Sequence, residues 1–255
     1  MKKVLTVIFT LMLTISFANA MNGKCGGENK CGGAKKCGAA SKGMGQGKAM
    51  ANYRAVAPEK AEIIQDGKNK MYCPVCGMTL PMFYKTNHAA TDAKGHTHQY
   101  CSIVCEVEDA VKNGKKLDNH KVVDNTTLKF IDAKAAYFVV GSNKPGTMSV
   151  VSKYAFGTEA AAEKFAAQNG GKVLPFDAVY EMVEKSLEKD MKATKMRQSK
   201  AATKGEMIYN KMCKKTDKRF TSVADAKSFL TTSGICGKIA GKKHQAVALF
   251  LSNKK

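Results

Sequence analysis

The segment Cys73-Pro74-Val75-Cys76-Gly77-Met78, followed by Tyr100-Cys101-Ser102-Ile103-Val104-Cys105, constrains this chain more than any other feature. Four thiols and a thioether in so short a stretch must end up either cross-linked or gathered around an ion. Soft thiolates and thioethers select Cu(I), Zn(II) and related ions over hard cations. The residues alone therefore point to a thiophilic metal, with copper ahead of zinc.

The N-terminus places the chain outside the cytosol. Lys2 and Lys3 precede an uncharged run from Val4 to Phe17, and Ala18-Asn19-Ala20 follows. A basic start, an apolar run too short to span a bilayer and an A-x-A site predict a secretory signal peptide over residues 1–20. Lys24 stands before Cys25 where a lipobox needs a small residue, so no lipidation is expected. The mature chain is expected to be soluble and periplasmic.

Loss of that segment removes two lysines and no acids, taking the formal charge from +21 to +19. Nearly all of the excess is lysine, the only arginines being Arg54, Arg197 and Arg219. Nucleic-acid readers rely on arginine forks interleaved with aromatics, so no nucleic-acid partner is expected. Electrostatic association with anionic membrane surfaces or acidic partners is the charge-based expectation, and a merely solvated basic face is the alternative.

All nine cysteines follow the signal segment. Residues 21–52 are rich in Cys, Gly and Lys, with Cys25-Gly26, Cys31-Gly32 and Cys37-Gly38 at six-residue intervals. Such sequence cannot bury a core and is expected to be flexible. Cys25, Cys31 and Cys37 are candidates for auxiliary metal capture, or else incidental to a linker.

Residues 53–190 carry the pattern of an α+β body made of a duplicated β-β-α-β unit, with halves at about 71–132 and 133–190. In the first half, strands are expected at Met82–Asn87 and His96–Cys101, then a helix capped by Ser102 and stopped by Gly114, then strands at Lys121–Asp124 and Thr127–Asp132. In the second, strands at Ala136–Gly141 and Thr147–Lys153 flank the turn Asn143-Lys144-Pro145-Gly146. Thr158 caps a helix to Gln168, a strand covers Val173–Pro175, and Asp177 caps a helix to about Glu188. Residues 191–204 are expected to be a linker. Residues 205–255 are expected to form a small all-α unit with helices at Gly205–Met212, Ser222–Leu230 and Lys242–Leu251.

Cys73-x-x-Cys76 by itself is open to three chemistries: a redox dithiol, half of a zinc site, or soft-metal ligands. A thioredoxin-like dithiol needs its first thiol at a helix N-terminus in a β-α-β unit, and Gly77 with Pro81 argues against a helix there. A zinc site would put Cys73 and Cys76 on a knuckle and Cys101 and Cys105 at a strand-to-helix junction. His96 and His98 alternate on one predicted strand, so both imidazoles could share a face and complete a copper site; two exposed polar histidines near a turn is the alternative.

The Cys-Pro-Val-Cys-Gly-Met and Tyr-Cys-Ser-x-x-Cys segments resemble the heavy-metal TRASH and YHS motifs. The longer string through Ala136-Tyr137-Phe138-Val139, Gly146-Thr147-Met148, Tyr154-Ala155-Phe156 and Ala166-Ala167-Gln168-Asn169-Gly170-Gly171 is similar to the NosL family, over roughly residues 60–185. That resemblance implies a Cu(I) metallochaperone, not an enzyme, delivering copper to nitrous oxide reductase together with a membrane ABC-type assembly complex. It carries a soft-ligand role to Cys73, Cys76, Met78 and Met148, alongside Cys101 and Cys105. Many family members are lipoproteins, and this chain departs from them there. Two other functions fit the residues: a thiol-disulfide reductase that keeps copper-site cysteines reduced, and a zinc-stabilised interaction module.

The C-terminal unit resembles a small c-type cytochrome in outline, with Gly205-Glu206-Met207-Ile208-Tyr209 before Cys213 and an apolar last helix. Cys213 is followed by Lys214-Lys215-Thr216, so the C-x-x-C-H attachment motif is missing and no haem is expected. Cys213 and Cys236 are read as a disulfide, with a second copper site as the alternative.

Overall fold

The computed structural model describes residues 52–254. They form one compact unit. The three cysteines at 25, 31 and 37 and the expected signal segment lie outside the described residues.

The two halves share one plan. In the first, β1 (His88–Asp92) and β2 (Thr97–Tyr100) form a hairpin, α1 (Ile103–Asn113) crosses over, and β3 (Leu117–Val123) returns antiparallel beside β1. In the second, β5 (Tyr137–Val140) and β6 (Lys153–Phe156) are the hairpin, α2 (Glu159–Asn169) the crossover, and β7 (Lys172–Pro175) pairs antiparallel with β5. The short strand β4 (Phe130–Asp132) extends the first sheet to the order β2-β1-β3-β4, against β6-β5-β7 in the second. The expected β-β-α-β duplication is therefore present in topology, with the first strand at His88–Asp92.

Local chemistry explains where elements begin and end. The backbone of Ser102 is extended just before α1, and Gly114 closes it in the left-handed conformation that glycine adopts without strain. Thr158 caps α2 through its side chain, accepting from Ala161 N. Val104, Val107 and their neighbours on α1 bury against Tyr100, Val122 and Phe138 in the main core.

Three expectations are corrected. Met82–Asn87 is not a strand but the end of a 3-10 helix over Leu80–Thr86. Pro81 suits a first helical turn, and Thr86 turns its hydroxyl back onto Phe83 O at 2.9 Å. Thr147–Ser152 is irregular, and the strand begins only at Lys153.

The third correction is the largest. Residues 191–204 are helical: α3 runs unbroken from Phe176 to Met212, 37 residues, or about 55 Å at 1.5 Å per residue. The segment lacks an apolar period and therefore reads as a linker. Yet Met191–Lys204 contains neither Gly nor Pro and is made largely of Lys, Ala, Met, Gln and Arg, all strong helix formers. Packing at both ends holds it. Phe176, Val179, Val183 and Leu187 bury in the body core, while Tyr209 buries in a second core with Phe220, Leu230, Val247 and Leu251. That second core belongs to the C-terminal end of α3 together with α4 (Val223–Ser233) and α5 (Gly241–Asn253).

Candidate metal centre

Cys73 and Cys76 sit on a tight hairpin knuckle. Cys73 N donates to Met78 O and Gly77 N donates to Cys73 O, each at 2.9 Å, while Tyr72 and Thr79 pair across its base. Gly77 makes the turn with φ of +70°. The knuckle is braced from behind by Gln65, whose side-chain amide donates to Tyr72 O at 2.9 Å and whose Oε1 accepts from Gln99 N on β2.

The other two thiols follow the β1–β2 hairpin. Cys101 follows β2, and Cys105 lies in the first turn of α1, its N–H donating to Ser102 O at 3.1 Å. A helix N-terminus carries partial positive charge and favours a thiolate.

All four sulfurs lie within 4.8 Å of one another, and none of the residues is more than 2% exposed. Cys76 Sγ is 3.4 Å from Cys101 Sγ, which is 3.6 Å from Cys105 Sγ. A tetrahedral ion bound at about 2.3 Å by four thiolates sets its sulfurs about 3.8 Å apart, so this cluster matches the requirement of such a centre. The thiols are unequal. Burial pushes Cys73 up, but hydrogen bonds from Cys101, Cys105 and Cys76 outweigh it and hold its pKa well below that of an ordinary thiol. Burial, then the bonds it gives to Cys73 and Cys76, pushes Cys101 well up. Cys105 is also pushed well up, by its bonds to Cys101, Cys73 and Cys76 and by burial.

Met78 and Met148 pack in the same core as the four cysteines. Both line an adjoining open cavity of about 470 Å³, together with Arg54, Phe83, Arg197 and Gln245. The cavity shares a wall with the knuckle, since Gln245 of α5 donates to Cys76 O at 3.1 Å. Met148 is buried to 6% exposure and has φ of +64°, a left-handed backbone that costs a non-glycine residue of order 1–2 kcal/mol. Its carbonyl accepts from Thr194 on α3 at 3.2 Å.

His96 and His98 are not brought to the thiols. Both belong to the β1–β2 hairpin and turn to Asp92: His98 Nε2 is 2.9 Å from its carboxylate, and His96, 70% exposed, lies 3.6 Å from it. The bond from His98, then the backbone N–H of His96, holds the Asp92 carboxyl well below the usual range. His96 precedes β2 instead of lying on it, and both imidazoles meet the acid at Asp92. Cys213 and Cys236 form a disulfide at the edge of the C-terminal core.

The sequence reading missed a buried charge and a buried cluster. Lys227 of α4 is 2% exposed, and its Nζ donates to Gly77 O at 2.8 Å and to Thr79 Oγ1 at 2.9 Å. Burial pushes its pKa down to about 8, while Cys76, Cys73 and Cys101 pull it back up. Beneath the site, Glu106 has no exposed surface, touches His120 Nδ1 through one oxygen and lies 2.9 Å from His88 Nδ1 with the other. Neither feature has a local motif; each is assembled from elements far apart in sequence.

The NosL family model matches residues 65–183. Among solved structures, the chain is similar to the copper chaperone NosL from Shewanella denitrificans, at 24% identity over 48% of this chain and 96% of that one, with a TM-score of 0.36. No curated protein matches. The family match contains the knuckle, both hairpins, Cys101, Cys105 and Met148, and it ends before α4 and α5.

Proposed function

We propose, from the NosL family match over residues 65–183, that the chain is a Cu(I)-binding chaperone, a carrier and not a catalyst. The observation that carries this is a closed four-thiol cluster sharing a wall with an open cavity that bears Met78 and Met148. Every candidate ligand there is sulfur, the donor type that selects Cu(I) and Zn(II) over hard cations. The thioethers face a cavity that a partner's ligands can enter, and neutral thioethers release a cargo ion more readily than thiolates do. The four thiols lie beyond solvent.

The finer reading follows the family. The chain is exported by its N-terminal signal, works in the periplasm as a soluble protein, and delivers copper to nitrous oxide reductase with the membrane ABC-type assembly complex. Its lysine-rich surface supports electrostatic association with anionic membrane. Among the described residues, no helix is long and apolar enough to cross a membrane.

One observation favours a second ion. Complete burial and near-tetrahedral spacing suit a closed structural Zn(II) site, which would leave Cu(I) to the methionine cavity. The same burial weighs against a thiol-disulfide reductase, whose attacking thiolate must reach its substrate.

Anaerobic titration of the reduced protein with Cu(I), with and without bound Zn(II), tests these readings. The expected result is tight binding of at least one Cu(I) that Zn(II) does not displace. Binding of Zn(II) alone, or insulin reduction without tight Cu(I) binding, would reject the chaperone.

A further inference from the structure

Lys227 is a buried ammonium with no acidic partner. Its Nζ is satisfied by the Gly77 carbonyl and the Thr79 hydroxyl and lies 4.7 Å from the centre of the Tyr72 ring. No carboxylate pairs with it among the described residues. Burying a cation without a counter-charge is costly, and negative charge supplied nearby offsets that cost. The groups able to supply it here are the four thiols on and beside the knuckle that Lys227 grips. A divalent ion on four thiolates carries two net negative charges, and a monovalent ion carries three.

The rest of α4 and α5 is fastened to the same knuckle. Ser228 Oγ donates to Lys68 O at 3.0 Å, Tyr72 and Thr231 share a hydroxyl contact at 3.0 Å, and Lys68 pairs with Asp225 at 2.7 Å. Gln245 holds Cys76 O, and a Cβ on Gly77 would meet Val223 Cγ1 at 2.4 Å. Glycine at this position thus permits both the turn and the close seating of α4.

We infer that the C-terminal helical unit, which lies outside the family match, is a cap on the four-thiol site, and that Lys227 is a positioning residue whose charge favours the anionic metal–thiolate complex. This rests on the reading of the four thiols as a metal site. Metal loading strengthens the docking of α4, and docking raises metal affinity by the same factor, because the coupling is reciprocal.

Co(II) is the probe, since four thiolates give it intense charge-transfer and tetrahedral ligand-field bands; Zn(II) competition then supplies affinities. The full chain and Lys227→Met, which keeps most of the side-chain volume without the charge, are titrated anaerobically. The expected outcome is a loss of tenfold or more in affinity with the band positions unchanged, the usual scale for outer partners of a metal site. Affinity within twofold of the parent would overturn the role of Lys227. A parent protein that shows no thiolate–Co(II) bands would instead overturn the metal reading itself. The coupling is also read in the unmodified chain, where Zn(II) should raise amide protection across Val223–Ser233; protection unchanged by metal would overturn the cap even if the variant failed to fold.

Discussion

A Cβ placed on Gly205 of α3 would sit 1.9 Å from the carbonyl oxygen of Ala246 on α5. No rotamer relieves that contact, because both atoms belong to backbone or its first branch. The two helices meet at glycine, and their close approach locks the distal end of α3 to the cap over the thiols. Gly205→Ala should therefore destabilise the protein by about 2–3 kcal/mol through overpacking, despite the roughly 1 kcal/mol gain in helix propensity. Urea melts of parent and variant measure this; equal midpoints would mean that the helices are free to part.

The buried Glu106 gives the body a defined pH profile. Contact with His120, then with His88, outweighs burial and lowers the Glu106 pKa, while Glu106 raises that of His120. The lowered carboxyl contributes stability above its ordinary value of about 4.5, lost as pH falls through the folded value. The raised imidazole contributes stability below about 6.5, lost as pH rises through its folded value. The pair should thus stabilise most between those limits. Glu106→Gln should cost roughly 3 kcal/mol near pH 5.5 and flatten both flanks. Thermal melts from pH 3.5 to 8.5 would show it, and parallel curves for parent and variant would refute it.

Much of the site was legible because its spacing is local. Cys73 and Cys76 are brought together by one knuckle, and Cys101 and Cys105 by one turn of helix, so short-range rules were enough. The duplicated topology was legible for the same reason, with Gly114 and Thr158 marking helix ends. Lys227 was not, since it meets Gly77 from 150 positions away in sequence and sits on a helix whose sequence carries no metal motif. The continuity of α3 was hidden by a different effect: periodicity reports burial, and the middle of α3 is helical with little burial. His96 and His98 show a different effect: the strand starts one residue after His96, and the acid at Asp92, six positions before His98, takes both rings.

The Cys213–Cys236 disulfide joins residues 23 positions apart in sequence at the edge of the C-terminal core. Removing both thiols by Cys213→Ser with Cys236→Ser should cost about 3 kcal/mol, felt first in α4 and α5. Hydrogen exchange should show lost protection there while β1–β3 keep theirs. Uniform loss through the chain would mean that the cap and the body unfold together.

Met78→Leu and Met148→Leu separate the cavity from the cluster. Both swaps keep volume and apolarity, and the left-handed backbone at Met148 is no worse for leucine, so folding should suffer by less than about 1.5 kcal/mol. Each should weaken Cu(I) binding while leaving Co(II) and Zn(II) affinity at the thiols unchanged. Unaltered Cu(I) affinity in both variants would return these methionines to a packing role.

The final prediction concerns Cys25, Cys31 and Cys37, which lie outside the described residues and whose composition alone speaks for them. If a Gly- and Lys-rich tether carries three thiols beside a folded site, their local concentration reaches the millimolar range for short linkers. An ion captured there is handed on within one molecule instead of lost to solvent. Deleting residues 21–50 should therefore leave thermal stability unchanged, because sequence dominated by Gly and Lys, with only scattered Ala and Met, adds little to a core. Copper stoichiometry or loading rate, followed by stopped-flow transfer from a chromogenic Cu(I) chelate, should fall. A truncated protein that loads as fast and as fully as the intact chain would reduce the segment to a linker.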